Sequence, residues 1–320
     1  MRFRNAIRLV TDNFSNVYKL LLFRLVTGIL FFSLAFVIIN RGLHVIFESA
    51  EAQNIALLIR EFFQAIATGR PEFEALADYR DNIITAIGEF FVMVGTNVGS
   101  IVGAFIGVCV IYLIARLLNG TATFAVGGIL NDKMESYSRP TFASAYFRYL
   151  GKSILYQLIY VPCSFIYDVV CLVACWFFFF YTPSLLPSWG LLTVMGGLAL
   201  AITAYILLLS LKLTFISAWI PAIVTDGKTV KEAAALSFKA LKGFGGRLSS
   251  FVITLFLILA VNVIFGLSTF GSMLFLTIPA SSFMILCLQF VYYYEDTGKK
   301  YFLSFRKISG ADGLPESMGD

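Results

Sequence analysis

Six apolar runs, at residues 20–39, 96–117, 155–181, 190–211, 248–270 and 273–294, constrain this chain more than any other feature. Each approaches or exceeds the ~20 residues that an α-helix needs to cross the hydrocarbon of a bilayer. In lipid every backbone N–H and C=O must be satisfied internally, so a spanning run is either a helix or a strand of a closed barrel. Barrel strands are about ten residues long and alternate in polarity, whereas these runs are continuous and twice that length. The pattern predicts an all-α fold, a polytopic membrane helix bundle of six transmembrane helices. Composition agrees, because only 13% of the residues are charged where a soluble domain carries about a quarter. The basic start, Met1-Arg-Phe-Arg, leads into a run too long for a signal-peptide core and is expected to be retained.

Charge gives the orientation. Of the 24 Lys and Arg residues, 20 fall at the N-terminus, between the second and third runs, between the fourth and fifth, or in the tail. These include Arg24, Arg116, Arg139, Lys212 and Arg306. The positive-inside rule then places both termini in the cytoplasm of a bacterial-type inner membrane. The organisation expected is one membrane domain over 1–310, with an outer insertion at 40–95 and a disordered cytoplasmic tail at 311–320. Within the insertion, Ile55, Leu58, Ile59, Phe62, Phe63 and Ile66 recur at helical spacing and predict an amphipathic helix. A second helix is expected to start near Pro71 and to run on into the second span.

That second span carries Gly95, Gly99, Gly103 and Gly107 at four-residue spacing, a stripe of small residues along one side of a helix. Because the hydrophobic effect does not drive helices together in lipid, close backbone approach over such residues has to. The stripe is expected to contact a helix of the same bundle first, locking the outer insertion to it, and otherwise a second copy of the chain.

The cytoplasmic segments resemble one another. Ile129-Leu-Asn-Asp-Lys is followed by Ala143-Ser-Ala-Tyr-Phe-Arg-Tyr-Leu-Gly-Lys, and Ile223-Val-Thr-Asp-Gly-Lys by Ala235-Leu-Ser-Phe-Lys-Ala-Leu-Lys-Gly, while Ala6 to Phe14 forms a fainter copy. The repeated unit reads as a basic amphipathic interfacial helix followed by a hairpin of two spans, used three times. Over roughly 124–260 this layout resembles the six-helix bacterial membrane-domain families that include the membrane domain of glycerophosphodiester phosphodiesterases. The resemblance implies the architecture alone, because no soluble phosphodiesterase domain with its His and Glu metal ligands is present here.

Ionised groups are costly inside a bilayer, so Asp168, near the middle of the third run, is the leading single-residue candidate for a proton or cation site. At an offset of 94 its counterpart is Asn262, and Asn262 or Gln289 would face it or share a cavity with it. The bland alternative is an Asp168 that is protonated, or lies nearer the interface, and simply hydrogen-bonds a neighbouring helix such as one bearing Asn262 or Gln289. Pro162 and Pro279 interrupt the third and sixth runs, as in the broken helices of transporters, although packing kinks explain them equally. Arg148, Lys152, Lys231, Lys239, Lys242 and Arg247 flank apolar positions and suit contacts with lipid headgroups.

No catalytic constellation is present. The single histidine, His44, has no G-x-S-x-G elbow beside it, and the five cysteines lie in apolar runs, where they behave as small hydrophobes. No metal or cofactor is implied. The expectation is a non-enzymatic integral membrane protein with a structural or accessory role. Its partners would be membrane lipids, a second copy or another membrane protein, and not nucleic acid. The alternative is a small-solute or ion transporter or channel built on Asp168.

Overall fold

The computed structural model describes residues 2–67, 73–96, 98–138, 140–185, 191–239, 243–304, 307–309 and 315–317. Among them the chain is an all-α bundle. Its helices are α1 (Arg2–Asp12), α2 (Ser15–Phe47), α3 (Ala50–Ala67), α4 (Phe73–Thr96), α5 (Val98–Ser136) and α6 (Phe142–Leu185). They continue with α7 (Leu191–Ile216), α8 (Trp219–Thr225), α9 (Val230–Lys239), α10 (Phe244–Ser268) and α11 (Leu274–Asp296). Six of them, α2, α5, α6, α7, α10 and α11, are long and apolar enough to cross a membrane, which makes this an integral membrane protein.

Local chemistry sets several boundaries. The Thr229 hydroxyl accepts the Glu232 backbone N–H while the Glu232 carboxylate accepts the Thr229 N–H, a reciprocal capping box that starts α9. The Thr141 hydroxyl accepts the Ser144 N–H at the start of α6, and the Ser49 hydroxyl accepts the Ala52 N–H at the start of α3. Gly243, at φ 82°, forms the break between α9 and α10 in a conformation few other residues accept.

Two helices outrun the expected spans. α5 has 39 residues and α6 has 44. The amphipathic segment expected as a separate interfacial helix, 142–152, is instead the first turns of α6. The paired glycines of the repeat show why. Gly151 stays helical within α6, whereas Gly243 turns left-handed ahead of α10, and α1 likewise ends at Asp12 before α2 begins at Ser15. Pro162 and Pro279 sit within continuous helices and break neither.

The single domain expected over 1–310 resolves into two compact units, one comprising Met1–Leu25 with Arg116–Asp320 and the other Val26–Ala115. In the second unit α3 and α4 pack on each other. In the first, α6 packs on α7, α7 on α10, α10 on α11, and α1 on α11. Its core joins Leu9, Leu20, Phe124, Leu130, Tyr156, Ile223, Phe251, Phe283, Phe290 and Tyr294, all essentially inaccessible to solvent. These residues cluster toward the helix ends that carry the positive charges. Farther along the same helices the large apolar side chains of Phe165, Leu172, Phe256, Ile264 and Leu267 point outward. An outward apolar band fits lipid contact, since lipid tails solvate such groups as well as a core does.

Three short strands close the chain: β1 (Tyr301–Ser304), β2 (Lys307–Ser309) and β3 (Pro315–Ser317), antiparallel in that order. β3 lies inside the tail expected to be disordered, and corrects that expectation at 315–317. Tyr301 and Leu303 are buried where β1 meets α1.

Candidate functional site

α6 sets Ser164 and Asp168 one turn apart on one face, and the Ser164 hydroxyl donates to Asp168 Oδ2 at 3.2 Å. From α7, Lys212 Nζ donates to Asp168 Oδ1 at 2.6 Å and to Ser164 Oγ at 2.6 Å. From α5, Arg116 Nη2 donates to Ser164 Oγ at 2.8 Å and lies 3.6 Å from Asp168 Oδ2. The serine hydroxyl therefore accepts from both cations and donates its own hydrogen bond to the carboxylate. The Lys212 ammonium also lies 5.8 Å and 5.7 Å from the ring centroids of Tyr160 and Tyr167, within cation–π range. The Lys212 side chain is 9% exposed and that of Asp168 42%.

This geometry corrects two expectations. The partners of Asp168 are Lys212, Ser164 and Arg116 rather than Asn262 or Gln289. Asp168 is also level with residues 116 and 212, which the sequence puts at the basic ends of the second and fourth runs, and so does not mark a midplane. Gln289 is buried on α11 in the core, and Asn262 Nδ2 donates to Ser281 Oγ at 3.3 Å. The three polar residues expected to form one site occupy three separate settings.

A second polar centre lies where the basic ends of α5, α8 and α11 converge. Asn131 Oδ1 accepts the Thr225 hydroxyl at 2.6 Å and the Tyr294 hydroxyl at 2.8 Å. Asn131 and Thr225, 94 residues apart, are positions that the expected repeat would match. Three aspartates beside this centre are each paired with a cation, and Glu135 lies beside Tyr294. Asp132 pairs with Arg148 at 3.0 Å. Asp226 accepts from Lys299, accepts the Tyr293 hydroxyl at 2.5 Å and lies 3.7 Å from Lys228. Asp296 meets Arg247 at 2.8 Å and Arg2 at 3.2 Å, and Arg2 also donates to Glu295 at 2.7 Å. Burial raises the pKa of Asp226, but its hydrogen bonds from Lys299 and Tyr293 and the charges of Lys299 and Lys228 outweigh this and hold it below the ordinary carboxylate value. The Tyr301 hydroxyl donates to Glu295 at 2.9 Å and accepts from Asn5 at 3.0 Å, and burial raises its pKa well above the ordinary tyrosine value.

The residues expected to contact headgroups divide accordingly. Arg247 is buried and committed to Asp296, so it is corrected from a lipid contact to a helix tie. Arg148, Lys152 and Lys231 are exposed, Lys239 ends α9, and Lys242 lies outside the described residues together with Arg139 and Arg306. α1 turns Asn5, Ala6 and Leu9 inward against the bundle, while Ile7 stays exposed.

The glycine stripe is gripped at one position. A Cβ on Gly107 would lie 3.0 Å from Ile38 Cγ2, whereas around Gly95, Gly99 and Gly103 there is open space among the described residues. The tight approaches occur farther along α5. A Cβ on Gly120 would fall 2.0 Å from Gln157 Nε2, and one on Gly128 2.2 Å from Tyr149 Cε2. The closest approaches along α5 are thus at Gly120 and Gly128, against Gln157 and Tyr149 of α6.

No known protein family matches the chain, and neither does any curated protein or solved structure. The site is thus read from its own residues. Sequence reasoning missed Arg116, Ser164 and Lys212 as partners of Asp168 because the two cations were counted as loop charges. The i, i+4 spacing of Ser164 and Asp168 was the available signal. Asn131 and Thr225 were visible as positions that the expected repeat would match, but nothing local showed that they meet.

Proposed function

We propose that this chain is a non-enzymatic, multi-pass protein of a bacterial-type inner membrane, with both termini cytoplasmic and a structural or accessory role exercised through lipid or protein partners. On this reading the three-hairpin repeat is its architecture, shared with the six-helix membrane-domain families that its cytoplasmic segments resemble. The observation that carries the proposal is the mutual closure of its charges. Asp168, Asp132, Asp226 and Asp296 are each held by a cation, and in three of the four a cation on another helix ties helices together. Such pairs fix the geometry of a bundle that lipid does little to compress. Transport through Asp168 is less supported, because its carboxylate is already engaged and lines neither of the two cavities described between the helices.

Proteoliposome flux measurements separate the two readings. The expected result is no solute or ion flux above protein-free vesicles, with Asp168→Asn unchanged. A flux that the unmodified chain supports and Asp168→Asn abolishes would establish transport instead. Orientation is read by labelling single cysteines placed at Lys152 and Lys300 with a membrane-impermeant maleimide. Both should react only in inside-out vesicles.

A further inference from the structure

A slot of about 340 Å³ lies between α1, α10 and α11, within the ~300–1,000 Å³ range of small-molecule sites. α1 gives Phe3, Ile7, Val10 and Thr11 to its wall, α10 the two turns from Thr254 to Val261, and α11 those from Thr277 to Met284. α1 starts at the basic end of the bundle, where Arg2 pairs with Glu295 and Asp296, and from its side the other two walls lead into the apolar runs of α10 and α11. No charged residue lines the slot. The hydroxyls of Thr11, Thr254 and Ser281 are turned back onto the carbonyls of their own helices, so the wall is apolar. Ile7, Leu257 and Val261 are exposed, and the slot therefore opens sideways through the outward apolar band. Its mouth is bordered by charge. Arg4, Ile7, Arg8 and Thr11 follow the i, i+3, i+4, i+7 spacing of one helix face, so the two arginines flank the two wall residues. Arg4 is exposed and Arg8 half-buried. Unlike Arg2, neither forms an ion pair or a side-chain hydrogen bond among the described residues, and Asp12, the one acid of α1, pairs with neither.

We propose that this slot seats one acyl chain of an anionic phospholipid whose headgroup phosphate rests on Arg4 and Arg8 at its rim. Three observations favour this occupant. The first is width. Spread along the two turns of α10 and α11, ~10 Å of helix rise, 340 Å³ leaves less than half the cross-section of a helix ~10–12 Å across, so an extended chain fits where a partner helix does not. The second is polarity, because an apolar wall leading away from two unpaired guanidinium groups matches a molecule that is hydrocarbon along its length and anionic at one end. The third is place. α1 lies at the basic ends of the helices, the side on which anionic headgroups gather by the positive-inside argument. Charge complementarity at the rim thus selects the lipid, and the slot fixes where its chain lies. The inference rests on the lipid-partner reading above, but its test is independent of flux and topology, so the two can fail separately.

The experiment uses the full chain in phosphatidylcholine vesicles containing a trace of phosphatidylglycerol with a diazirine in one acyl chain. After photolysis, crosslinks are mapped by peptide mass spectrometry. Labelling should concentrate on 3–11, 257–261 and 277–284, and unlabelled phosphatidylglycerol should compete it away where added phosphatidylcholine does not. Ala280→Phe, which fills the slot, should abolish these crosslinks while leaving those at the outward Leu172 and Leu267. Arg4→Gln combined with Arg8→Gln, which leaves the slot intact, should cut the preference for phosphatidylglycerol about 30-fold, at about fivefold for each basic residue near an anionic headgroup. Removing two exposed cations elsewhere, by Lys152→Gln with Lys231→Gln, should leave slot labelling unchanged. Competition in the unmodified chain keeps the test valid if the filled variant misfolds. Crosslinks spread evenly over the outward apolar band, competition by both lipids alike, or an equal loss from the two charge variants would overturn the proposal.

Discussion

Replacing Asp168 by alanine strands the Lys212 ammonium, and the structure sets the size of the effect. The two charges are 2.6 Å apart, a gross attraction of about 6 kcal/mol at an effective dielectric near 20. Desolvation of a lysine that is 9% exposed offsets much of it, so the pair taken as a whole contributes little net stability. Breaking the pair is different, because the buried cation loses its carboxylate while keeping its desolvation cost. Such losses run at about 3–5 kcal/mol, and the 42% exposure of Asp168 puts this one near the lower end, at about 3 kcal/mol. Lys212→Met alone leaves the carboxylate with Arg116 and Ser164 and should cost about 1–2 kcal/mol. The double variant removes both charges and should cost no more than about 2 kcal/mol, because neither charge is left unpaired. The cycle thus predicts a coupling of about 2 kcal/mol or more, read from equilibrium unfolding of the purified chain in mixed micelles. Additivity within ~0.5 kcal/mol would refute the reasoning and show that Asp168 and Lys212 act independently.

Other perturbations probe the remaining features. Because the Asp226 pKa is lower folded than unfolded, its contribution is complete above the unfolded value near ~4 and is lost as pH falls through the folded one. Asp226→Asn should therefore flatten the acid limb of a melting-temperature profile and leave its neutral plateau shape unchanged. Tyr301 has the opposite sign. Its raised pKa gives a contribution that is complete below ~10 and lost as pH rises above that, so Tyr301→Phe should lower stability at neutral pH by about 1 kcal/mol and shallow the alkaline limb. Gly128→Ala should destabilise by about 1–3 kcal/mol, since the new methyl meets the Tyr149 ring. Gly99→Ala, facing open space, should be neutral or stabilising by at most ~1 kcal/mol. Equal effects at the two glycines would mean that the close approach at Gly128 does not hold α5 against α6.

Much of this architecture was legible because hydropathy acts locally. Twenty consecutive apolar residues can satisfy their backbone in lipid only as a helix, so the six spans follow from residues such as those of 248–270 without knowledge of their neighbours. The start of α9 was equally local, written in Thr229 and Glu232. The ends of α5 and α6 were not. Hydropathy falls where polar residues begin, yet Asn119–Asn131 and Phe142–Lys152 remain helical because packing in the core, around Phe124, Tyr149 and Tyr156, continues past the apolar run.

By itself the sequence determined the class of protein and the number of long apolar helices, since each depends on composition within a window of contiguous residues. Only the tertiary structure decided which polar groups meet. Asp168 reads as an isolated intramembrane acid until Arg116 and Lys212, each more than forty residues away, are brought to it by antiparallel packing. The four regular glycines read as the grip of the bundle, but the close approaches fall at Gly120 and Gly128. The physical reason is that spacing along one helix fixes which face a residue takes, while the partner across that face depends on the rotation and depth of a second helix. No stretch of contiguous sequence contains that information.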